Sequence, residues 1–511
     1  MSKRPLYIVA KTVLAVFGLS ALMACSAVVD GEDVVKERET DSSNTFINLT
    51  IAVTDGVSSQ TRGVDDKPTA GENGDGREAG FLRENAVTGI TLILYRDDNG
   101  INGSDATTLD LVKYYTVSRT GTPLTADGTD LGKSKVVEAY YTTGNQPLRK
   151  DEVNYSAAYH AIVIANADLR GEVSTLGDVR AYKMNQLYSG NETSPAMSCG
   201  NFVMSSESDY SMNFATSTPT PYNNGLLYTF DNLLIERMAA RIDFWSAGSN
   251  GYKSTYSTPG YEYSVDGTSD KFVVTGIMPF NLNGGNATNG GEYIIKRLAG
   301  AIAATPTFTY LADETGSNYV VDPATINKTD GTLTYMKNTL TTLQGEGTLA
   351  DITSLSSNTY YKSISNLHTA VNATESSAGY PTLIEGSLSG ENAIIAYPME
   401  NTLWGASRLY NYATGIAIEG DYYYNGTGTP EHRIFYGYMR HNGTSASAYA
   451  AMLGADLSNT ETSTSANCME FGVVRNNIYR IYISKINSIN NMTIKIKVKK
   501  WDKFEHEVIY M

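Results

Sequence analysis

Between Met492 and Lys499 every second side chain is aliphatic, and each one between is threonine or lysine. An extended chain alternates its side chains between two faces, whereas a helix would smear this pattern around its surface, so the stretch is confined to a β-strand with one apolar face. The same period recurs at residues 46–54, FINLTIAVT, where Ile47, Leu49, Ile51 and Val53 face one way and Asn48, Thr50, Ala52 and Thr54 the other. Further strand signals follow in VTGITLILY, DLVKYYTVS, VVEAYYT, YHAIVIAN, FVVTGIMPFNL, GEYIIKRL, ENAIIAYPM and HRIFYGYMR, separated by stretches rich in Gly, Asn, Ser and Thr. With 46 Gly and 36 Tyr, the composition suits many short strands joined by turns. A helix is expected only in a place or two, for example around residues 333–345, and no fixed-period repeat or heptad pattern is present.

A chain of 511 residues exceeds what one hydrophobic core usually serves. The segment 226–248, LLYTFDNLLIERMAARIDFWSAG, carries apolar strand runs on both sides of Ile235 to Ala240 and is the expected boundary. The expectation is therefore an all-β protein of two β-sandwich domains, 63–235 and 236–511.

The first residues differ from everything after them. Lys3 and Arg4 precede TVLAVFGLSALMA, an apolar run of the kind found in export signals and too short to span a membrane as a mature helix. It ends in LMAC, which resembles a bacterial lipobox, so residues 1–24 are expected to be removed and Cys25 to become a lipidated N-terminus. The simpler alternative is an export signal whose cysteine is incidental. Residues 26–39 are polar, with Asp30, Glu32 and Asp33, and read as a tether.

After the strand at 46–54 comes DGVSSQTRGVDDKPTAGENGDGREAG, residues 55–80, Gly-rich, acidic and expected to be an exposed loop. Within it Arg62 precedes Gly63. A cut there would release 25–62, lipid and strand together, as a propeptide. Burial of four aliphatic side chains on that strand is worth roughly 6–12 kcal/mol gross, comparable with a domain's net stability of about 5–15 kcal/mol. Its loss would leave an apolar groove with unpaired backbone groups, which demands a replacement strand. The tail 492–511 has the pattern to supply one. Residues 473–486, VVRNNIYRIYISKI, are expected to form one strand and, after NSINN, a second carries Met492, Ile494, Ile496 and Val498. Parity breaks at KKW around Trp501, and Phe504, His506, Val508 and Tyr510 then resume alternation. Added to a neighbouring copy by β-strand addition, such a tail makes a head-to-tail contact that need not close, and so a filament.

Other chemistries find little support. The formal net charge of −15 argues against nucleic acid as a partner. Five His show no HExxH and no pair at metal spacing, and there is no G-x-S-x-G elbow. GENGDG at 71–76 lacks the spacing and the terminal Glu of a calcium loop, and Asp97 and Asp98 belong to a turn, DDNG. No cofactor, metal or enzymatic activity is expected. Cys199 and Cys468 form either one disulfide or two buried thiols. Trp245, Trp404 and Trp501 with the many Tyr leave a surface glycan-binding lipoprotein as the alternative, although such rings more often fill cores.

The strand VVRNNIYRIYISKI followed by TIKIKVKKWDKFEHEVIYM resembles the C-terminal signature of Bacteroidales fimbrillins, the Mfa/FimA-type pilins of type V pili. LMAC, FINLTIAVT and TRG match that family's N-terminal layout, ERMAARIDF resembles its domain-junction strand, and NNIY favours the Mfa-type branch. The resemblance implies two transthyretin-like β-sandwich domains and export as a lipoprotein to the outer-membrane surface. It also implies cleavage after Arg62 by an Arg-specific extracellular protease of gingipain type, and polymerisation by donor-strand exchange with other copies and with anchor and tip subunits. Anchor subunits lack the cleavage and tip proteins often lack the donor strand, so a polymerising stalk subunit that supports adhesion is favoured over either accessory subunit. Arg77 and Arg83 are the other arginines of the loop region, with Arg62 the first choice.

Overall fold

An alternating strand needs its apolar face covered and its backbone groups paired with a neighbouring strand or with water, and the fold meets these needs with three large sheets. The computed structural model describes residues 45–53, 77–79, 84, 86–96, 104–119, 140–184, 202–206, 210–280, 282, 292–293, 311–312, 318–319, 355–356, 360–372, 392–402, 414–439, 449–451, 472–473 and 475–502. Among these the protein is almost entirely β, as its patterning requires, and the described α-helices are the short Leu176–Ala181 and Ile364–Asn372. The helix expected near 333–345 lies outside the described residues.

The first sheet has 11 strands. Its main path runs Leu109–Thr116, Gly89–Tyr95, Ala158–Ala165, Met204–Ser206, Gly225–Arg237, Thr45–Val53, Tyr140–Thr142 and Ser118–Arg119. Gly89–Tyr95 is buried along its whole length because both of its faces are covered. Ile90, Leu92 and Leu94 join the main core, while Ile93 and Tyr95 pack with Leu176 and Val179 of the short helix. That helix starts with a reciprocal cap between Thr175 and Asp178, which satisfies two otherwise orphaned backbone donors.

Two six-stranded sheets and three two-stranded pairs make up the rest of the described strands. One six-stranded sheet runs Arg77–Ala79, Asn491–Asp502, Asn477–Ser488, Arg241–Trp245, Asn392–Ala396, and the other Tyr252–Lys253, Gly260–Ser264, Lys271–Phe280, Gly415–Tyr423, Glu431–Tyr438. Ile242, Phe244, Ile481 and Ile483 from the first share one core with Phe272, Val274, Ile418 and Phe435 from the second. Close approach inside the latter sheet fixes one glycine: a Cβ on Gly260 would lie 2.0 Å from the carbonyl oxygen of Val274. The two large cores change over within ERMAAR, Ala239 belonging to one and Ala240 to the other.

Two sequence expectations change here. Residues 473–486 are not one strand: Gly472–Val473 pairs with Asn401–Thr402, Arg475 and Asn476 turn, and the long strand starts at Asn477. Asn476 takes a left-handed backbone, φ 60°, a conformation asparagine tolerates better than most side chains. The stretch 55–80 also holds a strand, Arg77–Ala79.

Candidate functional site: the leading strand, the terminal hairpin and the junction

Thr45–Val53 is an interior strand, parallel to Gly225–Arg237 on one side and antiparallel to Tyr140–Thr142 and Gln146–Pro147 on the other. Ile47, Leu49, Ile51 and Val53 are each 0% exposed and sit in the first core with Leu92, Tyr141, Phe214 and Ile235. Between Leu49 and Ile51 the long partner strand carries one extra residue, a β-bulge, after which Ala52 is buried as well as Val53. The other face is tied by polar contacts: Thr142 Oγ1 donates to Asn48 Oδ1 at 2.7 Å, and Asn48 Nδ2 donates to Asn145 Oδ1 at 3.2 Å. Thr143 brackets Leu49, its N–H donating to the Leu49 carbonyl at 3.1 Å and its Oγ1 accepting from the Leu49 N–H at 3.0 Å.

Asn477–Ser488 and Asn491–Asp502 form an antiparallel hairpin, from Ser488 opposite Asn491 to Asn477 opposite Lys500. Met492 and Ile494 are 0% and 2% exposed in the second core, with Ile496 half-buried against it. Val498 pairs with Tyr479, and Trp501 lies opposite Glu78. The hairpin also receives Tyr449–Ala451 along Met492–Ile494, so this part of the tail is engaged in the chain's own sheet.

Between the cores lies a cluster of buried charge that joins the two sequence motifs. Arg237, Arg241, Arg475 and Arg480 are at most 2% exposed, as are Glu84, Glu236, Asp243 and Glu400. Three of these acids, Glu84, Asp243 and Glu400, meet the arginines directly, pairing that makes burial of so much charge tolerable. Arg241 grips Asp243 with two bonds, Nε to Oδ1 at 2.7 Å and Nη2 to Oδ2 at 2.8 Å, and reaches Glu84 Oε2 at 3.4 Å. Arg480 donates to Asp243 at 3.2 Å, and Arg475 to Glu400 at 3.1 Å. Arg237 donates to the Glu84 carbonyl at 3.0 Å and to Asn476 Oδ1 at 2.7 Å, while Tyr397 donates to Glu84 Oε1 at 2.5 Å. Burial opposes the charge on Asp243, but Arg241 and Arg480 beside it win and hold the carboxyl below its ordinary value.

Cys25, Arg62, Gly63, Arg83, Cys199, Cys468, Trp404, Phe504, His506, Val508 and Tyr510 lie outside the described residues. Trp245 is 8% exposed and packs 5.3 Å from Tyr482, so it is a core residue. Sequence reading did not find Glu84, Tyr397 or Glu400. The available signal was the set of arginines embedded in apolar runs, Arg237, Arg241 and Arg480, each of which needs a buried partner.

No family model and no curated relative matches the chain. Among solved structures, a candidate cell adhesion protein from Parabacteroides distasonis is 14% identical and aligns over 91% of this chain and 100% of that one, with a TM-score of 0.38. A fimbrilin, FimA, from Porphyromonas gingivalis is 14% identical over 91% of this chain and 99% of that one, with a TM-score of 0.38. The C-terminally truncated tip fimbrial protein Mfa3 from the same species is 9% identical over 90% of this chain and 100% of that one, at 0.37. The structural neighbours of this chain include fimbrial proteins and a candidate cell adhesion protein of the Bacteroidales, at identities of 9–14%.

Proposed function

We propose that the chain is a structural stalk subunit of a surface fimbrium, matured by a cut after Arg62 and joined to other copies by strand replacement. The observation that carries this reading is the position of Thr45–Val53, an interior strand that completes a core and precedes the candidate cut site in the chain. Its departure opens a slot between Gly225–Arg237 and Tyr140–Thr142, lined by apolar residues and edged by backbone groups that have lost their partners. A strand from another copy is the occupant with the right chemistry, since it restores both the hydrogen bonds and the apolar face.

The engaged hairpin sharpens the donor. Because Met492 and Ile494 fill the chain's own core, the donor role falls on the alternation Phe504, His506, Val508 and Tyr510, with Asn491–Asp502 as its root. The likeness to fimbrillins in the sequence motifs supports the rest of the reading: two β-sandwich domains, a non-enzymatic role in adhesion, and a precursor held at the outer membrane through Cys25. It also supplies the partners, an Arg-specific extracellular protease and anchor and tip subunits. Mass and N-terminal sequence of the surface form test this. A start at Gly63 with detergent-resistant ladders is expected, and a mature start at lipidated Cys25 would refute it in favour of an anchor. A chain ending before Lys503 is expected to be exported and cut yet to form no ladders, and normal ladders from it would remove the donor role.

A further inference from the structure

Arg62, Arg77 and Arg83 are chemically alike as cut points, but the backbone makes Arg77 different. Arg77–Ala79 is a strand on the outer edge of its sheet, parallel to the terminal strand, with Arg77 opposite Lys500, Glu78 opposite Trp501 and Ala79 opposite Asp502. On the terminal strand's other side the register with Asn477–Ser488 stops at Lys500. Among the described residues, Trp501 and Asp502 are therefore paired by this short strand alone. Further along the chain Glu84 is 0% exposed, its carbonyl bound by Arg237 at 3.0 Å and its carboxylate by Tyr397 and Arg241. The edge strand thus pairs with the end of the terminal strand, and Glu84, five residues after Ala79 in the chain, is anchored among buried charges.

We propose that Arg77–Ala79, rooted at Glu84, is a retaining clamp on the end of the terminal strand. It remains covalently attached when the chain is cut after Arg62, so losing the leading strand does not by itself release the end of the terminal strand. A cut after Arg77 would remove the first paired residue, and a cut after Arg83 would sever the grip from its root. Proteases bind their substrates as extended chain, so at Arg77 an enzyme must compete with Lys500 for the same backbone. The clamp's use rests on the proposed cut, whereas the clamp itself belongs to the uncut chain and is tested there.

The test is hydrogen–deuterium exchange on the full uncut chain, comparing wild type, Glu78→Pro and Glu84→Gln. Proline deletes a backbone donor and disrupts pairing, and each lost backbone hydrogen bond changes an opening equilibrium about fivefold. Glu78→Pro is expected to speed exchange around residues 500–502 by about fivefold for one lost bond and about 25-fold for two, while Asn477–Ile483 is unchanged. Glu84→Gln, which keeps the shape of the root, is expected to speed the same peptide less. Unchanged exchange at 500–502 in both variants would overturn the clamp. A mature chain starting at Glu78 or Glu84 would overturn its retention after the cut, whereas a mature chain still carrying Cys25 would overturn the proposed cut and leave the exchange result standing.

Discussion

Replacing Leu49 with alanine separates a strand that leaves from a strand that stays. Leu49 is 0% exposed, and both its backbone N–H and its carbonyl are bound by Thr143. Truncating a fully buried leucine removes transfer free energy and leaves a cavity, about 2–5 kcal/mol in all. Leu49→Ala should therefore lower the urea midpoint of the uncut chain. Because a chain of this size with more than one core need not unfold in a single step, the transition to follow is that of the first core, read by exchange at Ile90–Leu94. In the assembled filament the same substitution should have no effect, since the residue has departed with its strand. Ile494→Ala, in the second core, should cost about 2–5 kcal/mol in both states and serves as the matched control. Equal destabilisation of filament and precursor by Leu49→Ala would show that the strand is retained, and the replacement mechanism would fail. A precursor unaffected by Leu49→Ala would instead contradict the packing from which the magnitude was taken.

Arg241→Met should destabilise the uncut chain by about 3–5 kcal/mol, because it removes the two-bond partner of buried Asp243 and the cation beside buried Glu84; urea denaturation at neutral pH measures it. The depressed pKa of Asp243 contributes stability that is present above the ordinary value of 3.8 and lost as pH falls through the lower folded value. Since Arg241 is its chief partner, the variant should unfold at a higher pH on acid titration followed by circular dichroism. His432 is raised above 6.5 by its hydrogen bond to Asp421, against partial burial and with help from Glu419. Its contribution is complete below 6.5 and disappears as pH rises through the folded value, so His432→Gln should flatten the melting temperature between those limits. Asn476→Ala removes an acceptor from Arg237 and a residue suited to φ 60°, and should cost about 1–3 kcal/mol in the same denaturation assay.

Period-two patterning made the strands legible because burial of one face selects alternation directly, as at Ile47, Leu49, Ile51 and Val53. It could not register what pairs the backbone edges, which any residue type can do. Arg77–Ala79 was invisible for that reason: three residues of polar and small side chains contribute hydrogen bonds and no apolar stripe. Similarly, nothing local in VVRNN revealed the turn at Asn476, whose left-handed backbone is held by its N–H donating to the Ala239 carbonyl at 2.8 Å. The junction was legible in half. Arginines inside apolar runs announce that acids must meet them, but Glu84 lies 153 residues from Arg237 and 157 from Arg241, and no spacing rule connects them. The buried charges balance only when the start of the described chain, its middle and its end are brought together. ERMAAR and VVRNN are therefore two sides of one contact, and a substitution in either should disturb both cores at once.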